Sequence, residues 1–382
     1  MDSLTNSEHE TESSDREYYC PRSRLVHCKG VPPLKEAEAL IDRLYASGVP
    51  FFTKQTIQYA WDQIKREPAR GEEIFLKHIT GETAVCIAET GKVNEWGPDN
   101  NTMKKYICKE LVLSYGCRAS LRRDLEWSYT PNLWVACPIS LMHVTYRRDS
   151  ENKKIIPPRV ARDREVVRTT FQTKTQEWSE SAACERLKTI LSSSAKNHGI
   201  DKVIGFALGT MSIQYYSKDG SPFAESGWGP ASQHALLLTM KEWLQERDRE
   251  QKVPCYSQDP AFTEVDRQIL DEVGVEVIED PRGWLEVDEQ SMILSVGPDV
   301  PVKEIIADIA RPAVIIWDRV GWDDGLEPGH WLSDPDSSRI RAMLEGYELH
   351  EFGPDSMVCL DLVVYIRKSV VAPTLGEDGR FL

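Results

Sequence analysis

Seven small or polar residues stand where predicted strands end or where a helix begins, and they are the first candidates for chemistry. They are Gly209, Thr210, Ser212, Gln233, Asp259, Asp299 and Asp318. Ligands of open α/β sheets bind at the carboxyl ends of the strands, so these residues predict a binding edge. Small residues let a backbone approach a phosphate, and an acid that ends the second strand can accept hydrogen bonds from ribose hydroxyls. These residues favour a binding site for a nucleotide-like cofactor.

The glycine spacing differs from that of the usual dinucleotide loop. Gly205 and Gly209 form G-x-x-x-G and not G-x-G-x-x-G, and residues 213–231 separate the turn from its helix. A phosphate on the start of that helix would require this insert to fold back. Asp259 has an alternative role as a turn residue before Pro260. Gln233 either faces the cleft or lies in the first turn of a helix, where polar residues satisfy unpaired amides.

Two other kinds of chemistry have less support in the sequence. A metal site would need at least three of the strand-end carboxylates Asp259, Asp280, Asp299 and Asp318 to converge, because hard cations take several oxygen ligands. Thr263 and Asp266 resemble a helix-capping box, which is a structural role. The chain contains no G-x-S-x-G elbow, and no Ser or Cys has a His partner that the sequence assigns. We therefore predict no metal site and assign no catalytic residue.

The composition limits the class of protein. The formal net charge of -15 argues against a generic nucleic-acid binder, because phosphate neutralisation needs a concentrated basic face. Nine cysteines are scattered without a C-x-x-C pair, which favours reduced thiols over disulfides or zinc ribbons. The sequence shows neither a signal-peptide pattern nor a run long enough to span a membrane. We expect a protein of the cytoplasm or nucleus that does not bind a membrane.

Composition and periodicity predict five segments. These are a disordered acidic tail over 1–18, a helical or mixed extension over 19–146, a basic linker or loop over 147–170, an α/β domain over 171–368 and a flexible tail over 369–382. The basic stretch 147–168 is interpreted either as a solvated surface loop or as a contact for an acidic protein partner or a phosphate. The oligomeric state stays open.

In the extension we predict two helices, one that ends at Gly48 and one that Thr53 caps. A further helix is predicted over Met103–Tyr115. Strands are predicted over three apolar segments: residues 83–88, 133–136 and 141–146.

From Glu177 onward the pattern is more regular. A helix is predicted over Glu177–Lys196, followed by alternating strands and helices. Strands are expected near 202–208, 253–257, 275–279, 291–296 and 312–317, and helices near 232–247, 263–273, 302–310 and 337–345. This rhythm predicts a Rossmann-like, three-layer α/β fold with a mostly parallel sheet and helices on both faces. Tyr347–Phe352 and Cys359–Arg367 predict a closing antiparallel hairpin. The predicted order and hairpin are analogous to the class I methyltransferase topology, which says nothing of function.

A family resemblance runs from about Phe171 to Val320. It is carried by Trp178 with the helix that follows it and by three short motifs: residues 207–212 (ALGTMS), 232–238 (SQHALLL) and 258–263 (QDPAFT). With them, the chain resembles the SRR-like domain family, named for sensitivity to red light reduced, and residues 44–54 and 309–320 resemble its fungal branch. The resemblance implies a Rossmann-like domain and regulatory roles. In plants these concern light and circadian signalling, in animals clock-gene expression and haem biosynthesis, and in yeast microtubules and haem.

The chain departs from the plant and animal members at two places. Residues 296–299 (VGPD) stand where those members tend to have Met-Pro-His-Cys, and residues 317–319 (WDR) stand in place of Gly-Asn-Ser. A site that depends on that His, Cys or Asn is therefore missing here. The family supplies no established catalytic residue to carry over.

Two functions of different classes follow. The first is a non-enzymatic regulatory or interaction protein that binds at most a small ligand at the carboxyl edge of the sheet. The second is an enzyme that depends on a nucleotide or S-adenosylmethionine and uses the cleft after the first two parallel strands. Nucleotides, S-adenosylmethionine and haem are the ligands to test.

Overall fold

The computed structural model describes residues 24–28, 34–96, 104–126, 137–148, 155–156, 161–213, 229–247, 252–321, 332–351 and 361–368. The predicted strand at 133–136 and both predicted tails lie outside these residues. None of the described helices combines the length and the hydropathy that a membrane crossing requires.

The described residues of the amino-terminal part, which reach to Ile156, form two small antiparallel sheets and three helices. Its strands are β1 (Arg24–Cys28), β2 (Glu73–Lys77), β3 (Thr83–Ile87), β4 (Val93–Trp96), β5 (Lys104–Tyr115), β6 (Ile139–Arg148) and β7 (Ile155–Ile156), and its helices are α1 (Leu34–Ala46), α2 (Lys54–Ile64) and α3 (Arg118–Glu126). The strand order is β1-β3-β2 in one sheet and β4-β5-β6-β7 in the other. Gly48 follows α1 with φ +78°, and Thr53 caps α2 through a capping box with Thr56. Both helix-end predictions are confirmed.

The predicted helix over Met103–Tyr115 is wrong, because Lys104–Tyr115 forms the strand β5. It pairs with β6, with Ile107 opposite Tyr146, and Tyr106 and Cys108 are buried at alternate positions. The register shifts between Cys108 and Leu111. This irregularity breaks the two-residue alternation and leaves the apolar residues at spacings that resemble those of a helix.

The carboxyl-terminal part forms a sheet of seven described strands in the order β10-β9-β8-β11-β12-β14-β13. The strands are β8 (Lys202–Phe206), β9 (Cys255–Gln258), β10 (Glu276–Val277), β11 (Ser291–Ser295), β12 (Val314–Asp318), β13 (Tyr347–Glu351) and β14 (Leu362–Arg367). Strands β8 to β12 are parallel, and β13 and β14 add the antiparallel hairpin. The mostly parallel sheet and its closing hairpin are confirmed.

Seven α-helices accompany this sheet in the described residues. They are α4 (Arg164–Ser179), α5 (Ala182–Ile190), α6 (Pro230–Arg247), α7 (Glu264–Glu272), α8 (Arg282–Glu286), α9 (Val302–Ile309) and α10 (Ser338–Leu344). A π-helical segment, Leu191–Ala195, continues α5. The single helix predicted over Glu177–Lys196 is wrong in its boundaries. Its first residues belong to α4, and the Ser181 side chain caps a new helix by accepting from the amide of Cys184. Residues 164–170, part of the predicted basic linker, are helical.

Helices cover both faces of the sheet, as predicted for a three-layer fold. On one face, Val203 and Leu294 pack with apolar residues of α4, α5, α6 and α7. On the other, Phe206, Ile293 and Ile315 share a core with α8, α9, α10 and the extension. The apolar surface of the extension and that of the sheet therefore form one continuous core.

Candidate functional site

The loop after β8 contains one position, Gly209, whose backbone conformation and surroundings favour glycine. Gly209 has φ +74°, and a Cβ atom there would lie 2.9 Å from Cγ of Pro230. Ala207 also has a positive φ, of 53°. The loop therefore turns sharply beneath the first residue of α6, which brings the end of the strand and the start of the helix together.

Asp266 binds this loop with both carboxylate oxygens. Its Oδ1 atom accepts hydrogen bonds from the backbone amides of Met211 at 2.9 Å and Ser212 at 3.1 Å. Its Oδ2 atom accepts from the hydroxyls of Thr210 and Ser212, each at 2.7 Å, and from the amide of Thr263 at 2.8 Å. The side chain is completely buried. The predicted Thr263–Asp266 capping box is confirmed, and its acid also satisfies a loop remote in sequence.

Asp259 holds the same loop from the second strand. Its Oδ2 atom accepts from the amide of Gly209 at 2.8 Å, and its Oδ1 atom accepts from the amide of Ala261 at 2.7 Å. The second bond is the turn role considered for this residue. Carboxylates of the chain itself thus occupy the loop amides of Gly209, Met211 and Ser212. A phosphate could bind these amides only by displacing the two carboxylates, and the negative charges of phosphate and carboxylates would repel each other.

Gln233 and His234 lie in the first turn of α6. His234 Nδ1 lies 2.7 Å from the carbonyl oxygen of Pro230, and its ring is 5.6 Å from that of Phe262. Gln233 Oε1 and His234 Nε2 are buried and have no partner in the part of the chain that the structure describes. Burial lowers the pKa of His234 to about 4, so its imidazole is neutral at pH 7.

The other two candidate residues lie after β11 and at the end of β12, and not in the β8 loop. Asp299 is exposed after β11. Asp318 ends β12 beside Lys303, and burial raises the pKa of its carboxyl group although the positive charge of Lys303 opposes the shift. Ser295 Oγ, Trp317 Nε1 and Asp318 Oδ1 are buried there without a partner among the described residues. The structure thus brings together Gly209, Thr210, Ser212 and Asp259, with Gln233 in the adjoining helix turn, whereas Asp299 follows β11, Asp318 ends β12, and neither makes a hydrogen bond to this loop in the described residues.

A buried ion cluster around Lys303 had no signal in the sequence. The Lys303 ammonium lies 3.0 Å from Asp336 Oδ1 and donates to the carbonyl oxygen of Asp334 at 3.2 Å. Burial raises the pKa of Asp334 to about 7, with Lys303 acting in the opposite direction. From the sequence alone, a lysine in the helix α9 is expected to be solvated. Its acidic partners lie 31 and 33 residues away, so no local pattern indicates that it is buried in an ion cluster.

Asp280 connects the end of β10 to the extension. Its Oδ1 atom accepts hydrogen bonds from Tyr115 at 2.9 Å, Trp284 at 3.0 Å and Gln258 at 2.9 Å. Burial raises the pKa of this carboxyl group to about 7, while the bonds from Tyr115 and Trp284 lower it. The sequence placed Asp280 at a strand end but gave no sign of the Tyr115 contact, because Tyr115 was assigned to a helix.

The described residues contain no group of three or more His, Cys, Asp or Glu side chains arranged to hold a metal ion. The buried cysteines of the described residues form no disulfide bond; they are Cys86, Cys108, Cys117, Cys137, Cys184 and Cys255. Burial raises the pKa of the Cys117 thiol to about 11 and that of Cys255 to about 12. These two thiols are therefore protonated at neutral pH and are poor nucleophiles.

Comparison with known proteins gives one result. The family model of the SRR1 domain matches residues 183–336, a range that contains the β8 loop, Asp259, Asp266 and the Lys303 cluster. No curated protein matches the chain significantly.

Proposed function

Because the chain carries an SRR1 domain over residues 183–336, we propose that this protein is regulatory and acts through interactions and not through catalysis. The processes that it would regulate are taken from the family resemblance: light- or clock-dependent gene expression and haem biosynthesis. We propose the cytoplasm or the nucleus as its location and the fungal branch as its position in the family.

The occupied β8 loop is the observation that carries this proposal. In Rossmann-like enzymes the amides after the first strand face the cofactor phosphate or carboxylate. Here the amides of Gly209, Met211 and Ser212 are bonded to Asp259 and Asp266. Releasing buried hydrogen bonds to charged groups is costly, so exchanging these carboxylates for a cofactor anion offers little gain in free energy.

The alternative function, an enzyme that uses a nucleotide or S-adenosylmethionine, has the strand order as its main argument. Proteins with many unrelated activities share this kind of fold, so the strand order does not indicate an enzymatic activity. Asp259, the acid that would accept from a ribose, is already bonded to Gly209 and Ala261.

An acidic protein partner at the basic stretch 147–168 is part of the proposal. Two of its arginines have an internal partner, since Arg164 and Arg168 both contact Glu272 on α7. An acidic segment would therefore compete with Glu272 for these two side chains. Exposed ion pairs of this kind are screened by solvent and contribute little to stability, so such competition is feasible.

A thermal-shift screen with ATP, NAD, S-adenosylmethionine and haem tests the proposal, because a ligand that binds only the folded state must raise the unfolding midpoint. We expect no shift at saturating concentration. A shift that Asp259→Ala abolishes would favour the enzyme alternative. In cells, transcript and haem levels with and without the protein test the regulatory role, and unchanged levels would contradict it.

A further inference from the structure

A cavity of about 350 Å³ lies in the amino-terminal extension, outside the matched family domain. Its wall is formed by α2, by the β2–β3 turn and by the start of β6. Phe51, Ala60, Leu76 and Ile139 contribute apolar surface and are almost completely buried. The volume falls within the range of pockets that bind small molecules, which are mostly apolar with few polar groups.

The described residues that line the cavity include basic side chains but no acidic ones. Lys77 and His78 are its titratable members apart from the phenol of Tyr59, and no Asp or Glu is among the described residues that line it. Burial lowers the pKa of His78 to about 4, so its imidazole is neutral at pH 7. Lys77 is therefore the charged side chain of the described wall, in a chain whose formal net charge is -15.

Lys77 lies at the rim of the cavity and is free to meet an anion. Its side chain is exposed, its ammonium group lies 3.3 Å from Thr83 Oγ1, and it stands 5.7 Å from the centre of the Tyr59 ring. It makes no ion pair with the carboxylates of the described residues. Tyr59 is 39% exposed and extends the apolar wall to the surface, next to this ammonium group.

We propose that this cavity binds a small apolar molecule that carries one carboxylate, of the class of medium-chain alkanoic acids. The hydrocarbon part lies against Phe51, Ala60, Leu76 and Ile139, and the carboxylate meets the Lys77 ammonium at the rim. Burial of the hydrocarbon supplies most of the affinity, and the exposed ion pair supplies the preference for an anion.

Isothermal titration of the full chain with hexanoate, octanoate and decanoate tests the proposal, with octan-1-ol and octylammonium as uncharged and cationic analogues. We expect affinity to rise with chain length until the cavity is filled, and octanoate to bind more tightly than either analogue. No saturable binding of any carboxylate, or equal binding of octylammonium, would overturn the proposal.

Two variants locate the site. Ala60→Leu extends a side chain into the cavity and should abolish binding, and Lys77→Met should weaken octanoate binding about three- to five-fold while leaving octanol binding unchanged. Lys109→Met is the matched control, since Lys109 also lies over an aromatic ring, that of Tyr146, but does not line the cavity. If Ala60→Leu fails to fold, Lys77→Met decides. An unchanged octanoate affinity in Lys77→Met would contradict the assigned carboxylate contact.

Discussion

The Oδ1 atom of Asp266 lies 2.9 Å from the backbone nitrogen of Met211, although the two residues are 55 positions apart in the sequence. This contact joins the helix after the second parallel strand to the loop after the first. In place of an open phosphate-binding turn, the carboxyl edge here has a loop held by an internal anion.

Asp266→Asn should destabilise the protein by about 3 kcal/mol, because the variant replaces a charged acceptor with an amide that also presents donors to buried N–H and O–H groups. Urea unfolding monitored by tryptophan fluorescence measures the change. Asp271→Asn is the matched control, because Asp271 lies on the same helix and is exposed. Equal stability of the two variants would show that the loop does not depend on Asp266.

Gly283→Ala should cost about 2 kcal/mol, because a Cβ atom at this position would lie 2.7 Å from both Gln258 Oε1 and the Phe206 ring. The backbone must approach closely here because Trp284 stacks on Phe206 with centroids 4.0 Å apart. Thermal unfolding of Gly199→Ala provides the control, since the nearest atom to a Cβ there is 3.7 Å away. A Gly283→Ala midpoint equal to that of Gly199→Ala would disprove the close packing.

Stability should fall as the pH rises toward 8, in part through Glu304. Burial and then the charge of Asp308 raise the pKa of Glu304 from its ordinary 4.5 to about 8, against the amide of Arg118 and the charge of Arg339. Because the folded state binds this proton more tightly than the unfolded chain, its contribution is complete below about pH 4.5 and is lost as the pH passes 8.

Glu304→Gln isolates this effect, because it retains an acceptor for the amide of Arg118 and removes the titration. We expect the variant to gain stability relative to the natural protein as the pH rises from 5 to 9, in urea unfolding at each pH. The exposed Glu242→Gln should follow the natural protein throughout. Parallel curves for Glu304→Gln and the natural protein would rule out a buried, protonated Glu304.

Arg339 connects the extension to the α/β part and should be essential for that contact. Its guanidinium lies 3.0 Å from Asp308 Oδ1 and donates to the carbonyl oxygens of Tyr45 at 2.8 Å and Val49 at 2.5 Å. Asp308 in turn accepts from the amide of Phe51 at 2.6 Å. Removal of one partner of a buried pair leaves the other charge uncompensated, at a cost of about 3–5 kcal/mol.

Arg339→Met should therefore destabilise the protein by about that amount and expose the α1–α2 segment to proteolysis. The double variant Arg339→Met with Asp308→Asn should recover part of the loss, because it no longer leaves an uncompensated charge. Additive losses in the double variant would show that the two side chains are not coupled.

The sequence predicted the α/β part well because its elements are strongly periodic. The β12 segment is apolar at successive positions, as a strand buried on both faces must be, and α7 was marked by Thr263 and Asp266. The extension was predicted less well. The register shift in β5 disturbs the alternation on which strand prediction rests. The sequence therefore predicts a helix at Tyr115 and does not reveal its contact with Asp280.

Local sequence also could not show which partners satisfy the polar groups of the candidate site. The sequence predicts Asp259, Gly209 and Ser212 at one edge of the sheet. In the structure, hydrogen bonds between residues 50 and 54 positions apart hold this edge together: Asp259 binds Gly209, and Asp266 binds Ser212. Whether Asp259 faces a ligand or the loop depends on such long-range hydrogen bonds, which no short motif encodes. For the same reason, the ion cluster around Lys303 was invisible before the fold was known.

Amide hydrogen exchange of Gly209, Met211 and Ser212, followed by NMR in the absence and presence of ATP, NAD and S-adenosylmethionine, tests the central claim most directly. If Asp259 and Asp266 occupy the loop, these amides exchange slowly in the free protein, and neither their resonances nor their exchange rates change when the compounds are added. Rapid exchange in the free protein, or saturable shifts of these three resonances with any of the compounds, would contradict the account.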